Sequence, residues 1–167
     1  MTINEALAAE LKAEAATTRK LLERVPQDSL TWKPHDKSMT LGRLAGHVAE
    51  LPGLFAMVLT EDALDFGSGK YQPFNPENAS ELVTVFDQRV AGALDALSNQ
   101  PGEAFAKNWQ MRNGERVLLE LPRAVALRSI GLNHLVHHRG QLSVYLRLLD
   151  IPVPSIYGPS ADDNAGF

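Results

Sequence analysis

Three of the chain's five histidines lie close together in the stretch NHLVHHRGQLSVYLRLLD, residues 133–150. His134 and His138 are four residues apart, so in a helix they lie on one face, one turn apart, and both can reach the same ion. His47 is a third histidine at an apolar helical position, far upstream in LGRLAGHVAELPGLF. Because a buried imidazole needs partners for its ring nitrogens, these three residues predict a site for a divalent metal ion.

The types of ligand limit the type of site. Cysteine is absent, so any metal must be held by nitrogen or oxygen. Three histidine ligands leave coordination positions open for water or substrate, which is typical of catalytic sites. Imidazole binds zinc, nickel, copper and iron, so the ligands do not choose the metal. Taken alone, His134 and His138 could also be core histidines whose ring nitrogens bond to a carbonyl or a carboxylate. The presence of His47 as a third such histidine favours a metal site.

Several residues near these histidines are candidates for secondary roles. Glu50, one turn after His47, could orient that ligand or contact bound water, but we expect it on a solvated helix face. His137 points away from the pair and is expected at the surface. Arg139 is expected at the helix surface or at an interface, and Tyr157 is expected to anchor the C-terminal segment. The sequence identifies no catalytic group beyond the metal ligands and no site for an organic cofactor.

Helical periodicity, interrupted by proline and glycine, predicts the elements that carry these residues. TINE at residues 2–5 is a capping box that begins the first helix, and Pro26 ends that helix. Pro52 lies inside the second helix and predicts a kink, because proline cannot donate to the carbonyl of Val48. Asn78 caps the third helix and Pro122 opens the fourth. The four predicted helices cover residues 2–25, 41–60, 78–98 and 122–150, with approximate ends.

The fourth helix and the segment before it have distinct patterns. The inward stripe of the helix is predicted to be Leu127, Ile130, His134, His138, Leu142, Tyr145 and Leu149. The preceding residues, AFAKNWQMRNGERVLLEL, alternate like strands around Asn113 and Gly114, the strongest two-residue turn signal in the chain. They predict a short β-hairpin, roughly Ala106 to Leu121, at one end of the helices.

Length, composition and charge narrow the class of protein. The 167 residues, 44% of them hydrophobic, suit a single domain over residues 1–167, with residues 161–167 as a loose tail. The net charge of -4 and the lack of a basic run weigh against nucleic acid as the main partner. The N-terminus has no sustained apolar block, so neither a signal peptide nor a membrane span is predicted. We therefore expect a cytoplasmic protein without a membrane partner.

Two blocks of the sequence resemble a known family. LGRLAGHVAELPGLFAMVLT and NHLVHHRGQLSVYLRLLDIPVPSIYGPSADD are similar to the corresponding blocks of the DinB-like, or YfiT-like, superfamily of metal-dependent enzymes. The resemblance implies an all-α fold, a four-helix bundle of up-down-down-up topology, to which the residues add the hairpin between helices three and four. It also implies that the metal ligands are His47 on the second helix and His134 and His138 on the fourth.

The resemblance also implies a class of chemistry. Characterised members include transferases and isomerases that use a low-molecular-weight thiol such as mycothiol or bacillithiol. By analogy, this chain would use a divalent ion to activate a thiol or water against a small electrophile, as a transferase or hydrolase. Zinc and nickel are the leading candidates, with iron and manganese as alternatives. Relatives are often dimers, so a homodimer is expected. The alternative is a non-catalytic, metal-binding, stress-response bundle whose ion only fixes the helices.

Overall fold

The computed structural model describes residues 1–164 and is mostly helical, with a small three-stranded sheet. The helices are α1 (Ile3–Leu22), α2 (Leu41–Glu50), α3 (Gly53–Thr60), α4 (Ala79–Asn99), α5 (Arg123–Ala126) and α6 (Asn133–Leu148). A π-helical segment, Leu127–Leu132, joins α5 to α6. The strands are β1 (Ala63–Asp65), β2 (Asn108–Asn113) and β3 (Arg116–Pro122). No helix among residues 1–164 has the length and apolarity that a bilayer span requires.

The starts of α1 and α4 lie where the sequence predicts them. Thr2 and Glu5 form the predicted capping box, in which each side chain bonds to the other's backbone N–H. Asn78 is the N-terminal cap position of α4, but its side chain does not cap the helix. The carbonyl oxygen of the Gln27 side chain accepts from the Ala79 N–H instead, at 2.7 Å. The cap of α4 is therefore supplied by a segment 50 residues upstream, which local sequence does not reveal.

The predicted second helix is two helices, because Pro52 breaks it. The first, α2, ends at Glu50, and α3 begins at Gly53 with Pro52 as its cap residue. The Leu51 N–H still donates to the His47 carbonyl, at 3.1 Å, but the proline that follows has no N–H to continue the ladder. The predicted kink is thus a break in the helical hydrogen-bond ladder at Leu51 and Pro52, both of which keep right-handed helical backbone angles. Because the break is only two residues long, α3 directly follows the end of α2 that carries His47.

The predicted fourth helix begins later than expected and contains the π-helical segment. Pro122 is the last residue of β3, and α5 starts at Arg123. In the π-helical segment the Asn133 N–H donates to the Arg128 carbonyl, five residues back. One extra residue per turn rotates everything that follows. After the segment the buried side chains are Leu132, Leu135, Arg139, Leu142 and Leu146. Of these, Leu135, Arg139 and Leu146 each lie one position later than the predicted stripe.

This shift corrects the predicted inward stripe. Two members of the predicted stripe, Leu127 and Leu142, are fully buried as expected. The other five members are only partly buried: Ile130, His134, His138, Tyr145 and Leu149. The two histidines therefore lie at the edge of the core rather than at its centre. At the edge a small molecule can approach them.

The sheet contains the predicted hairpin and one strand that the sequence does not predict. Strands β2 and β3 are antiparallel, with Asn113 opposite Arg116. The turn residues are therefore Gly114 and Glu115, one position later than predicted, and Gly114 has the positive φ (59°) that the turn requires. Strand β1 pairs in parallel with β2 and is only three residues long, too short to give a periodic signal.

The helices pack so that α2 and α6 are neighbours. α4 contacts α1, α2 and α3, while α6 contacts α1 and α2. One cluster of buried side chains joins α1, α2, α4 and α6, and a second joins α3, the hairpin and the π-helical segment. Phe55 on α3 fills the space next to Gly131, where a Cβ would be only 2.6 Å from the phenyl ring. Close packing thus holds the π-helical segment against α3.

The C-terminal segment is bound to α6 as far as it is described. Asp162 accepts a hydrogen bond from the Val153 N–H, at 2.9 Å, and pairs with Arg147 on α6. The loose tail predicted for residues 161–167 stays a prediction, and Asp162 is one of its residues that contacts the body of the protein. Residues 165–167 lie outside the described residues.

Candidate metal centre

The structure brings His47, His134 and His138 together, although the first is about 90 residues from the other two in sequence. His47 is in the last turn of α2, and His134 and His138 are in the first turns of α6. Their Nε2 atoms converge: the distance is 3.4 Å from His47 to His134 and 2.9 Å from His134 to His138. One ring nitrogen from each of the three lies within 4.8 Å of the others.

The outer nitrogens of two of these rings have partners that set the tautomer. The Nδ1–H of His47 donates to Glu50 Oε1 at 2.7 Å, and the Nδ1–H of His138 donates to Gln141 Oε1, also at 2.7 Å. A carboxylate or amide oxygen can only accept, so Nδ1 carries the proton in each ring. The Nε2 lone pairs of these rings therefore point into the shared space, as metal-binding histidines require.

Glu50 is more than the solvated residue that the sequence predicts, because its side chain is only 13% exposed. Besides His47, its carboxylate accepts from Arg43 Nη2 and from the Tyr71 hydroxyl, both at 3.0 Å. Its second oxygen accepts from the Phe74 N–H at 2.7 Å. The prediction of a solvated helix face is therefore wrong, and the alternative that Glu50 orients His47 has structural support.

A glycine permits the loop to reach Glu50. The loop passes so close to α2 that a Cβ on Gly46 would lie 2.4 Å from the carbonyl oxygen of Phe74. Any side chain at position 46 would displace the loop, and with it the Phe74 N–H that donates to Glu50. Gly46 precedes His47 in the chain, so the same turn of α2 holds the histidine and admits the loop that supports it.

Burial and mutual proximity keep the imidazoles of His134 and His138 neutral. Burial lowers the pKa of His138 to about 4, helped by the neighbouring histidines and opposed by the Gln141 bond. Burial also lowers the pKa of His134 from its ordinary value, as does the charge of His47, while a hydrogen bond to the Ile130 backbone raises it. Neutral imidazole is the form that binds metal, so protons compete weakly with a metal ion at these two rings.

Glu50 has the opposite protonation behaviour. Burial would raise the pKa of its carboxyl, but the hydrogen bonds from His47 and the Phe74 N–H, together with the Arg43 charge, hold it below its usual value. Burial and the nearby Glu50 charge raise the pKa of the Tyr71 phenol, which stays protonated and can donate. At neutral pH the site therefore contains the neutral imidazoles of His134 and His138 and the Glu50 carboxylate anion.

The nitrogen positions fit the chemistry of a divalent ion. Tetrahedral coordination with metal–nitrogen bonds of about 2.0–2.1 Å places neighbouring ligand nitrogens about 3.3 Å apart. The observed separations of 3.4 Å and 2.9 Å are close to that value. Three imidazole ligands leave room for a further ligand, and zinc, nickel, copper and iron all accept this donor set.

A cavity of about 450 Å³ opens beside His47 and Glu50. Its apolar residues include Leu51, which lies just before α3, and Leu54 and Met57 on α3, and its lining also includes residues of β1 and of the loop after it. The cavity is the size of a small-molecule site, and it reaches the candidate metal ligand on α2.

The other candidate residues from the sequence are not part of this cluster. His137 is exposed, as predicted, and its ring lies against that of His138 at 4.7 Å between centroids. The prediction that Arg139 lies at the surface is wrong, since this residue is only 1% exposed. It pairs with Glu14 on α1 at 2.6 Å, and the Tyr157 ring covers it at 4.9 Å. Tyr157 also donates to Glu14 at 2.9 Å, which is an anchoring contact of the kind predicted.

Sequence reasoning missed the supports from outside the two histidine helices. Arg43 is on α2, seven residues before Glu50. Residues seven apart lie on the same side of a helix, so this spacing could have suggested their ion pair. Tyr71 and Phe74 come from a loop rich in proline and glycine, and no local signal indicates that this loop packs on α2. The bond from His138 to Gln141 was also missed, although a spacing of three residues is a contact distance in a helix.

Comparisons of sequence place these features in a family. The model described as the DinB family matches residues 1–165. The uncharacterized protein YrdA of Bacillus subtilis (strain 168) is 27% identical over 154 residues, covering 92% of this chain and 87% of the relative. The uncharacterized protein YjoA of the same strain is 26% identical over 139 residues, covering 78% and 80%.

Solved structures agree with that family at the level of fold. A DinB-like protein from Bacillus cereus ATCC 10987 superimposes with a TM-score of 0.70 at 22% identity, covering 92% of this chain and 97% of that one. The DinB-like protein YjoA from Bacillus subtilis gives a TM-score of 0.68 at 21% identity, covering 88% and 96%. A match of the family model over nearly the whole length settles membership: this chain belongs to the DinB family.

Proposed function

We propose that the chain binds a divalent metal ion through His47, His134 and His138 and uses it to activate a thiol or water against a small electrophile. The observation that carries this proposal is the convergence of the three Nε2 atoms while the Nδ1 atoms of His47 and His138 are engaged elsewhere. Three imidazoles this close have little reason to converge without a cation.

The residues around the histidines have separable roles in this proposal. Glu50 holds His47 in one tautomer and increases the basicity of its Nε2, and Gln141 does the same for His138. A divalent ion held by three neutral imidazoles keeps its full charge and so lowers the pKa of a nearby thiol or water. Leu51, Leu54 and Met57 provide apolar surface beside the site for the carbon skeleton of a small electrophile.

A thiol-dependent transferase is favoured over a purely structural metal site by the cavity. An ion that only tied α2 to α6 would need no open space beside its ligands, whereas about 450 Å³ adjoins His47. Zinc or nickel is the proposed ion, with iron or manganese as alternatives. The single domain over residues 1–167, the up-down-down-up topology, the homodimer and the cytoplasmic location stay predictions.

The test is metal content per chain by elemental mass spectrometry, on protein without an affinity tag that has been loaded with zinc or nickel and desalted. The parent should retain near-stoichiometric metal, and His134→Ala combined with His138→Ala should retain almost none while staying folded. His137→Ala is the matched control, since this exposed histidine lies between the two and should leave metal content unchanged. A parent that retains no divalent ion after loading contradicts the proposal.

Catalysis is tested separately on the loaded parent. Consumption of a small thiol in the presence of epoxides and alkyl halides should be faster with the parent than with the double histidine variant. Full metal retention with no acceleration for any thiol or electrophile would support the structural bundle instead.

A further inference from the structure

The charged residues of the cavity divide into those with partners and those without. Glu50 is bonded to His47, Arg43, Tyr71 and the loop, so its charge is already compensated. Asp65 is also compensated, by Arg112 at 3.2 Å and by two backbone N–H groups, those of Gly67 and Gly114. That leaves two cations and one anion lining the cavity whose charged groups have no partner within residues 1–164: Arg89, Lys70 and Glu61.

The unpartnered charges are separated along α3. Arg89 comes from α4 and lies across the first turn of α3, where a Cβ on Gly53 would be 3.1 Å from its Cδ and 3.6 Å from its Nε. Gly53 follows Glu50 by three residues, so this guanidinium is at the histidine end of the cavity. Glu61 follows the other end of α3, about 12 Å away along the helix at 1.5 Å per residue.

Lys70 adds a second unpartnered positive charge to the lining of the cavity. It is adjacent in the chain to Tyr71, whose hydroxyl donates to Glu50. The histidine end of the cavity thus has one free cation, Arg89, while the Glu50 carboxylate there is already bonded to four donors. Between the two ends, Leu54 and Met57 provide apolar contact and reduce the solvent screening of the charges.

We propose that this cavity binds small molecules that carry a carboxylate, with Arg89 as the residue that recognises it and Lys70 assisting. Guanidinium matches a carboxylate with two parallel hydrogen bonds, and Arg89 has its donors free for that purpose. A side chain at position 53 would crowd Arg89 there, since its Cβ would lie 3.1 Å from the Arg89 Cδ. This inference rests on the proposed function, because the carboxylate would place the molecule's reactive group near the histidines.

The experiment compares two thiols that differ in the carboxylate, N-acetylcysteine and N-acetylcysteamine. Binding to the zinc-loaded protein is followed by NMR through the amide signals of Leu54 and Met57. We expect N-acetylcysteine to bind about tenfold more tightly, since one charge-assisted hydrogen bond contributes roughly 1.5 kcal/mol or more. Arg89→Gln should abolish this preference. Arg116→Gln, which removes an exposed arginine on β3 outside the cavity, should preserve it.

Equal affinity of the parent for both thiols, no binding of either, or a preference that survives Arg89→Gln would each overturn the carboxylate proposal. Thermal unfolding of Arg89→Gln verifies that this exposed substitution leaves the fold intact. The same titrations on cobalt-loaded protein separate the two proposals, because a thiolate bound to cobalt gives a sulfur-to-metal charge-transfer band. A carboxylate preference without that band would support the anion site and contradict thiol activation.

Discussion

His138 and Arg139 are consecutive residues on α6, yet the polar groups around them are arranged in opposite ways. Around His138, three groups of the same kind converge, and the nitrogens that face each other offer lone pairs. Around Arg139, groups of opposite charge converge: the guanidinium meets the Glu14 carboxylate at 2.6 Å and the Thr18 hydroxyl at 3.3 Å. The Tyr157 ring covers the outer side of the pair.

The difference separates a cluster that needs a partner from one that contains its partner. The Arg139 cluster pairs its charge internally and joins α1, α6 and the C-terminal segment, although the buried Nη2 of Arg139 has no hydrogen-bond partner within residues 1–164. Removing one member of the pair should therefore destabilise the fold without any ligand being involved, because it leaves the other charge buried and unpaired. The histidine cluster gains most of its stabilisation from a bound cation, because nothing within residues 1–164 supplies a positive charge among the three Nε2 atoms. The stabilisation contributed by the histidine side of α6 should therefore depend on bound metal. The stabilisation contributed by the Arg139 side should depend on charge pairing.

Metal loading should produce the largest effect on stability. At free zinc about a thousand times its dissociation constant, binding to the folded state alone adds about 4 kcal/mol to the free energy of unfolding. Urea denaturation with and without zinc measures this increment. In His134→Ala combined with His138→Ala the increment should vanish, while the metal-free stability changes little. An increment of the same size in the double variant would show that zinc binds elsewhere.

Breaking the Arg139 cluster should give the next largest effect. Arg139→Met leaves the half-buried Glu14 carboxylate without its cation, and we expect a loss of about 3 kcal/mol in the metal-free free energy of unfolding. The stabilisation by zinc should survive, since no proposed ligand changes. Urea denaturation of both forms tests the two statements together.

Two variants sharpen that result. Adding Glu14→Gln to Arg139→Met should recover part of the loss, because the unpaired carboxylate is then removed. Arg19→Met, which breaks the exposed pair with Asp87, should alter stability little. If Arg139→Met is as mild as Arg19→Met, the buried pair has no special weight in the fold.

The two clusters also differ in how far the sequence predicts them. His47, His134 and His138 could be grouped in advance because helical spacing and apolar neighbours survive the errors in the helix boundaries. Arg139 could not, because the π-helical segment shifts the buried face by one residue and moves Arg139 from the surface into the core. Nothing in a 3.6-residue period reports such an insertion, which depends on packing against Phe55.

Long-range supports are the other part that the sequence does not predict. Glu50 looked solvated because the loop containing Tyr71 and Phe74 has no regular pattern, and its position depends on contacts with α2 across some 20 residues. Strand β1 is missed for a similar reason, since three residues acquire their structure only by pairing with β2. Helices and hairpin were predictable because their hydrogen bonds are local.

Glu50→Gln should weaken metal binding by about 10-fold to 100-fold, the usual cost of removing an outer partner of a metal-binding histidine. The amide can still accept from His47, but it has lost the negative charge that makes Nε2 more basic. Competition with a chelator of known affinity measures the change. Glu61→Gln is the matched control, because this carboxylate lines the same cavity at its far end and should leave metal affinity unchanged.

Substitutions of Gln141 should have the smallest effect on metal affinity. Whether each one strengthens or weakens metal binding is the informative result. Its side chain is exposed, so water can replace it at His138 Nδ1, and Gln141→Ala should weaken metal binding only about threefold. Gln141→Glu puts a carboxylate in the same place and should strengthen binding, because a charged acceptor makes the opposite ring nitrogen more basic. Chelator competition on both variants reports the sign directly. Equal weakening by alanine and glutamate would mean that Gln141 orients His138 by shape alone, whereas opposite signs would show that the outer nitrogens tune the inner ones.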